Sequence, residues 1–227
     1  MSAAAPDLRD RLAELEVEHA TLLSELRAFE SDYLRRVGVI DVQVQELQAR
    51  ILALVFAQSG SDEDGAAADA AEQRFRETTT ALKSIPAPAG PPPTDDLKLL
   101  FRDAAKRMHP DLVADAGGRD HAEAFMKRLN QAYAKGDAEA IGNLVRQWES
   151  SPYARGTPVG AGPAPALQAA VAHAEQRLAE ARDSDLARLM EDSLAATMAG
   201  RDLLAELRQQ AEVDLARARA RLAELDT

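Results

Sequence analysis

The chain of 227 residues contains no cysteine. This absence excludes disulfides, thiolate metal sites and cysteine nucleophiles, and it is typical of proteins in a reducing compartment. Aromatic residues make up only 4% of the sequence, which is little for a large compact core. Long apolar runs are absent as well, since the longest, Ile51 to Ala57, is far too short to span a bilayer.

The N-terminus from Met1 to Asp7 has neither a basic segment nor an apolar core, so no signal peptide is predicted. We therefore expect a soluble, cytoplasmic protein. The formal net charge is −11, and a surface of that sign repels both the nucleic-acid backbone and anionic lipid. Neither nucleic acid nor membrane is expected among the partners.

The composition that is present favours helices. The 46% of hydrophobic residues are mostly alanine and leucine, they accompany many glutamates and arginines, and no strand-like alternation occurs. We predict an all-α protein divided by two proline clusters. The predicted segments are a coiled-coil helix at 7–58, a short helix at 66–84, a Pro-rich linker at 85–93, a small helical bundle at 94–149, a second linker at 150–165 and a coiled-coil helix at 166–226.

Heptad-like seams characterise both long arms. In the N-terminal arm the apolar spacing contains two consecutive steps of four at Phe29, Tyr33 and Val37, which is a stutter, and Gly38 then predicts a kink. In the C-terminal arm the phase slips around Gly200. Heptads specify contact but not the partner, so the seams can pair within one chain or across a homodimer. His19 occupies a seam position, where a polar residue sets register.

The central segment contains an amphipathic helix from Leu97 to Met108. Its apolar stripe consists of Leu97, Leu100, Phe101, Ala104, Ala105 and Met108. Its basic residues, named the basic row below, are Lys98, Arg102, Lys106 and Arg107. Pro110 disfavours the α conformation in His109, so the helix is predicted to end there. A second helix from about Arg119 and a third over 138–148 complete the predicted bundle.

The residues Leu97 to Asp111 (LKLLFRDAAKRMHPD) resemble the second helix and the His-Pro-Asp loop of J-domains. Met126 to Tyr133, which ends in LNQAY, is similar to the third J-domain helix. The resemblance implies a co-chaperone that binds a DnaK-type chaperone ATPase and stimulates its ATP hydrolysis. It implies that the loop His109, Pro110 and Asp111 triggers hydrolysis, and that the basic row docks on an acidic surface of the ATPase.

The sequence departs from the J-domain pattern at several points. Asp103 stands where the family often has a basic residue, and no first J-domain helix with a Tyr-x-x-Leu pattern lies upstream. The short helix or one of the long arms can substitute for that helix. The alternative function is a coiled-coil scaffold or adaptor with a degenerate J-like module and no ATPase stimulation. Burial of His109 or Asp111 against the arms would favour this alternative.

No enzyme class is predicted. A catalytic triad, a phosphate-binding loop and histidine spacing suited to a metal are all missing from the sequence, so neither a cofactor nor a metal is expected. The predicted partners are a DnaK-type chaperone, a client protein of unknown identity and, where the seams pair across chains, a second copy of the chain.

Overall fold

The computed structural model describes residues 5–83, 92–113, 116–154 and 164–225, which include no β-strand. This confirms the predicted all-α class. The α-helices are α1 (Ala5–Tyr33), α2 (Val39–Ser59), α3 (Asp62–Lys83), α4 (Asp95–Met108), α5 (Ala116–Ala134), α6 (Ala138–Glu149), α7 (Ala164–Arg182), α8 (Asp185–Met198) and α9 (Leu203–Leu225). Most of both predicted linkers lies outside the described residues. In the described part of the chain, every helix is too short or too polar to cross a membrane.

Two compact units make up the chain. Unit 1 comprises Met1–Arg27 and Ala89–Arg188, and unit 2 comprises Ala28–Pro88 and Leu189–Thr227. Unit 1 therefore contains α4, α5 and α6, which we call the module, together with most of α1 and with α7.

The core of unit 1 is built around α4. Phe101 is fully buried, and its ring centroid lies 4.7 Å from that of Tyr133 on α5. The first helix of the chain completes this core, because Ala20 is buried in it, Val17 packs against it, and the Thr21 hydroxyl lies 2.7 Å from the Tyr133 hydroxyl. α1 thus covers one side of the module.

A second cluster in unit 1 joins α1 to α7. Leu12 and Leu15 are almost fully buried and project from α1 into this cluster. The residues that α7 contributes are Ala170, Val171, Ala174 and Leu178. Through this cluster α1 and α7 pack against each other within one chain.

Unit 2 is held together by α2, which packs on both α3 and α9. Ile40 of α2 forms a core cluster with Ala211 and Leu215 of α9. A π-helical segment, Leu34–Gly38, joins α1 to α2. It coincides with the predicted stutter, because a π turn accommodates one extra residue and so shifts the phase of the apolar seam.

The single C-terminal helix predicted at 166–226 is wrong, since three helices occupy the described part of that range. Ser184 separates the first two, and its hydroxyl accepts a hydrogen bond from the backbone N–H of Ala187 at 3.2 Å. Gly200, at φ +74°, ends α8, and the Asp202 carboxylate then caps α9 by accepting from Ala205. Heptad spacing indicates which face of a helix is apolar, but the capping residues determine where each helix ends.

The short helix also begins earlier than the predicted residue 66. α3 starts at Asp62, and the Ser61 hydroxyl accepts a hydrogen bond from the backbone N–H of Asp64 at 3.1 Å. The acidic residues at 62–64, which lie before the predicted start, occupy the first turn, where carboxylates interact favourably with the helix dipole.

Caps also define the helices of the module. The Thr94 hydroxyl accepts from the backbone N–H of Leu97 at the start of α4, and the Asp137 carboxylate accepts from Ala140 at the start of α6. Gly136 between α5 and α6 has a φ of +69°, which L-residues with a side chain rarely adopt.

Two glycine substitutions in the module are expected to have opposite signs. Gly136→Ala meets no neighbouring atom but is strained at positive φ, so it should lower the free energy of unfolding by about 1 kcal/mol. Gly142→Ala lies inside α6 with its nearest contact at 3.7 Å, and should raise it by about 0.5–1 kcal/mol. Urea titration of both variants measures this, and changes of equal sign would contradict the assigned turn.

Candidate functional site

The candidate site is the turn between α4 and α5, formed by His109, Pro110 and Asp111. His109 is extended, with φ −68° and ψ 132°, and Pro110 opens a 3₁₀ turn that ends at Leu112. Pro110 produces this geometry because its ring disfavours the helical conformation in the residue before it. The backbone N–H of Asp111 donates to His109 Nδ1 at 3.2 Å, so the imidazole itself caps the turn.

His109 is buried rather than displayed to solvent. It is only 6% exposed, and its Nε2 lies 3.3 Å from Oε1 of Glu16, a residue of α1 that is itself 3% exposed. Because Nδ1 already accepts from Asp111, the hydrogen-bond pattern assigns the ring proton to Nε2, which donates to the carboxylate. The sequence pattern indicated no role for Glu16, and the structure makes it the direct hydrogen-bond partner of His109.

A third helix also reaches this carboxylate. Arg177 of α7 donates a hydrogen bond to the same Glu16 oxygen, and α7 packs against the 3₁₀ turn. Burial alone would raise the pKa of Glu16, but its contacts with His109 and Arg177 outweigh burial and lower that pKa below its ordinary value. The Glu16 carboxylate therefore ties α1, α7 and the His-Pro-Asp turn together.

Two members of the basic row pair with carboxylates of α1. Arg102 lies 2.8 Å from Oε1 of Glu14, and the Lys106 ammonium lies 2.5 Å from Oδ1 of Asp10. The hydrogen bond from Lys106 lowers the pKa of Asp10. Both carboxylates are about half exposed, whereas the two cations are less exposed, at 31% and 30%. Two of the four cations of the predicted docking face are thus covered by acidic residues of α1.

The other two cations of the basic row point elsewhere. Lys98 forms an ion pair with Asp95 in its own helix at 3.3 Å, and Arg107 forms one with Glu149 of α6. The outward side of α4 instead displays Leu99 at 58% exposure. Of the seven predicted site residues, the structure gathers His109, Pro110 and Asp111 at the turn and Arg102 and Lys106 beneath α1.

Asp111 differs from its neighbour in the turn. Its side chain is 45% exposed, and its Oδ2 lies 3.8 Å from Nδ1 of His109. A group of a partner protein can therefore reach the Asp111 carboxylate without a change of conformation. Of the two polar residues of the turn, only His109 is enclosed by the arms.

The remaining histidines play other parts. His19 is half-buried on α1, and burial, with a smaller effect of the nearby Arg177 charge, lowers its pKa. His121 stacks within an aromatic cluster with Phe125, Trp148 and Tyr153, so Trp148 anchors α6 to α5. Within the described ranges, no three acidic or imidazole side chains are placed to hold a metal ion.

The sequence pattern gave no sign of a site role for Asp10, Glu14, Glu16 or Arg177, because each lies in an arm whose spacing indicates only a seam. One feature could have identified two of them: Asp10 and Glu14 are four residues apart, as are Arg102 and Lys106, so the acidic and basic pairs match turn for turn.

Compared with known proteins, the chain matches no family model, no curated protein and no solved structure.

Proposed function

We propose that the chain is a J-domain-type co-chaperone, which recruits a DnaK-type chaperone ATPase and stimulates its ATP hydrolysis. The observation that supports this most is the His-Pro-Asp turn, which joins a basic amphipathic helix to a second helix across a shared aromatic core. The residues that would contact the ATPase are His109, Pro110, Asp111, Lys98, Arg102, Lys106 and Arg107. In this role the protein binds and stimulates another enzyme and has no reaction of its own.

The chemistry of the turn suits such a contact. Pro110 fixes the backbone, so the exposed Asp111 carboxylate is held on a stiff turn from which it can form a charge-assisted hydrogen bond with an arginine of the ATPase. The basic row would steer the module toward an acidic partner surface, although the chain as a whole is negative.

The arms supply the rest of the proposal. We propose that they act as coiled coils flanking the module, as the α1–α7 and α2–α9 clusters support, and that they tether a client. A homodimer through the remaining arm surface is compatible with this role. We place the protein in the cytoplasm and expect neither nucleic acid nor membrane among its partners, because the charge is strongly negative.

A second candidate is a coiled-coil scaffold whose J-like module stimulates no ATPase. The burial of His109 against Glu16 favours it, since a trigger residue has to meet its partner. The two functions share the same fold and differ in whether the turn acts on an ATPase. They are therefore separated by an activity measurement.

The deciding experiment is single-turnover ATP hydrolysis by a purified DnaK-type chaperone, with and without the full chain. We expect a stimulation that His109→Gln abolishes, because the amide cannot reproduce the imidazole at the turn. His173→Gln, which replaces an exposed histidine of α7, is the matched control and should stimulate like the wild type. No stimulation by the folded wild type would leave the scaffold, and stimulation that persists in His109→Gln would contradict the role of the turn.

A further inference from the structure

The face of α1 that covers the module has the chemistry expected of a chaperone surface. Asp10 and Glu14 pair with Lys106 and Arg102, so the two helices run in opposite directions with their charges matched one turn apart. Glu16, from the same helix, receives the hydrogen bond of His109. Three carboxylates of one helix therefore contact three residues that the proposed function assigns to an acidic partner.

We propose that α1 is an autoinhibitory element, which keeps the module closed by occupying its docking face with Asp10, Glu14 and Glu16. The inference rests on the proposed function and adds its regulation. An acidic partner surface, or a client that takes hold of the arms, opens the module by replacing these contacts. In the closed state Asp111 and Pro110 stay accessible, while His109 and the cations of Arg102 and Lys106 are withheld.

The closed contacts have properties that suit release. Both outer ion pairs lie at the rim of the contact, where water and salt weaken them. The Nε atoms of Arg102 and Arg177 are buried without an acceptor. Because an unsatisfied buried donor is unfavourable, opening would let water satisfy both groups. The closed state therefore covers the docking face but leaves hydrogen-bond donors of its arginines unsatisfied.

The apolar contacts explain how α1 can open without leaving the protein. Leu12 and Leu15 attach it to α7, and neither belongs to the core of the module. The attachment to the module itself is lighter, through Val17, Ala20 and the Thr21 hydroxyl. Once the contact of α7 with the 3₁₀ turn and the hydrogen bond between His109 and Glu16 are released, the pair α1–α7 can therefore move away from α4 as one piece, with its own seam intact.

The test uses the full-length double variant Asp10→Asn/Glu14→Gln. It removes only half-exposed carboxylates and leaves the Glu16 contact and every apolar contact in place, so the fold should persist. The matched control, Glu18→Gln/Glu175→Gln, removes the same charge from the α1–α7 pair, where those carboxylates contact Arg182 and Arg11 and none of the module. Circular dichroism confirms that both variants fold.

The first readout needs no chaperone. Diethyl pyrocarbonate modifies accessible imidazoles, and peptide mass spectrometry gives a separate rate for each of the four histidines. We expect the rate at His109 to rise about three- to tenfold in the double variant, and to stay unchanged in the control, with exposed His173 as internal reference. An unchanged rate at His109 would overturn the closed-state assignment.

The second readout is the chaperone ATPase. If α1 is inhibitory, the double variant should reach half-maximal stimulation at about three- to tenfold lower concentration than wild type. A wild type and variant that stimulate equally would overturn the inference while the proposed function stands. If neither stimulates although His109 has become accessible, the proposed function fails, and α1 is then only a structural cover.

Discussion

Phe101→Ala should lower the free energy of unfolding of unit 1 by about 3–5 kcal/mol, because it removes a fully buried ring. That ring lies at the centre of α4, in contact with Tyr133, and its helical neighbours Ala104 and Ala105 are too small to fill the space left behind. Urea titration followed by the fluorescence of Trp148, the only tryptophan and a member of the same core, measures the loss.

The matched control for this prediction is Leu99→Ala in the same helix. Leu99 is 58% exposed and belongs to no buried cluster, so its truncation should change the free energy of unfolding by no more than about 0.5 kcal/mol. Losses of similar size at the two positions would show that the packing of α4 differs from that described.

Arg177→Met should lower the stability of unit 1 by about 2–3 kcal/mol at neutral pH. Methionine keeps the length of the side chain but removes one of the two hydrogen bonds that the buried Glu16 carboxylate accepts in the described part of the chain, the other being from His109. The estimate is below that for a fully buried ion pair, since Arg177 is about one-third exposed. Trp148 fluorescence in urea again reports the change.

This second effect should depend on pH in a defined direction. The pKa of Glu16 in the folded protein lies below its ordinary value of 4.5, so its ion pair stabilises above that pH and is lost as pH falls through the folded-state pKa. The difference in the free energy of unfolding between wild type and Arg177→Met should therefore shrink on acidification below pH 4.5.

Arg182→Met is the control for Arg177→Met. It lies on the same helix and pairs with Glu18 of α1, but both side chains are largely exposed. We expect a loss of less than about 1 kcal/mol. A loss that matches that of Arg177→Met would mean that the α1–α7 packing, rather than the Glu16 carboxylate, responds to the substitution.

Periodicity predicted the interior of the module well. Phe101, Ala104, Ala105 and Met108 are all buried, as their helical spacing indicated. Leu100 lies at the edge of the same stripe and is 41% exposed, because a helix buries only the part of its surface that another element covers. Spacing therefore locates the centre of an apolar face more accurately than its margin.

The candidate site was less predictable for a physical reason. Its residues and their order are visible in the sequence, but the environment of His109 depends on Glu16, 93 positions away. No local pattern encodes that pairing, since an acidic residue on an arm has many ways to remain solvated. The breaks at Ser184 and Gly200 are different, because their capping residues are visible in the sequence, whereas the apolar spacing on either side of them predicts one long helix.

At the π-helical segment Leu34–Gly38, the number of residues determines the rotation of α2 about the helix axis. Each residue of an α-helix turns the chain by about 100°, so deleting one residue here would rotate the apolar face of α2 by that angle relative to the last turn of α1. Ile40, which packs with Ala211 and Leu215 of α9, would then lose its register with the seam residues before the deletion. An insertion or deletion confined to this turn therefore changes which face of α2 packs on its neighbours. One at Gly60, between α2 and α3, changes only the length of the loop that connects them.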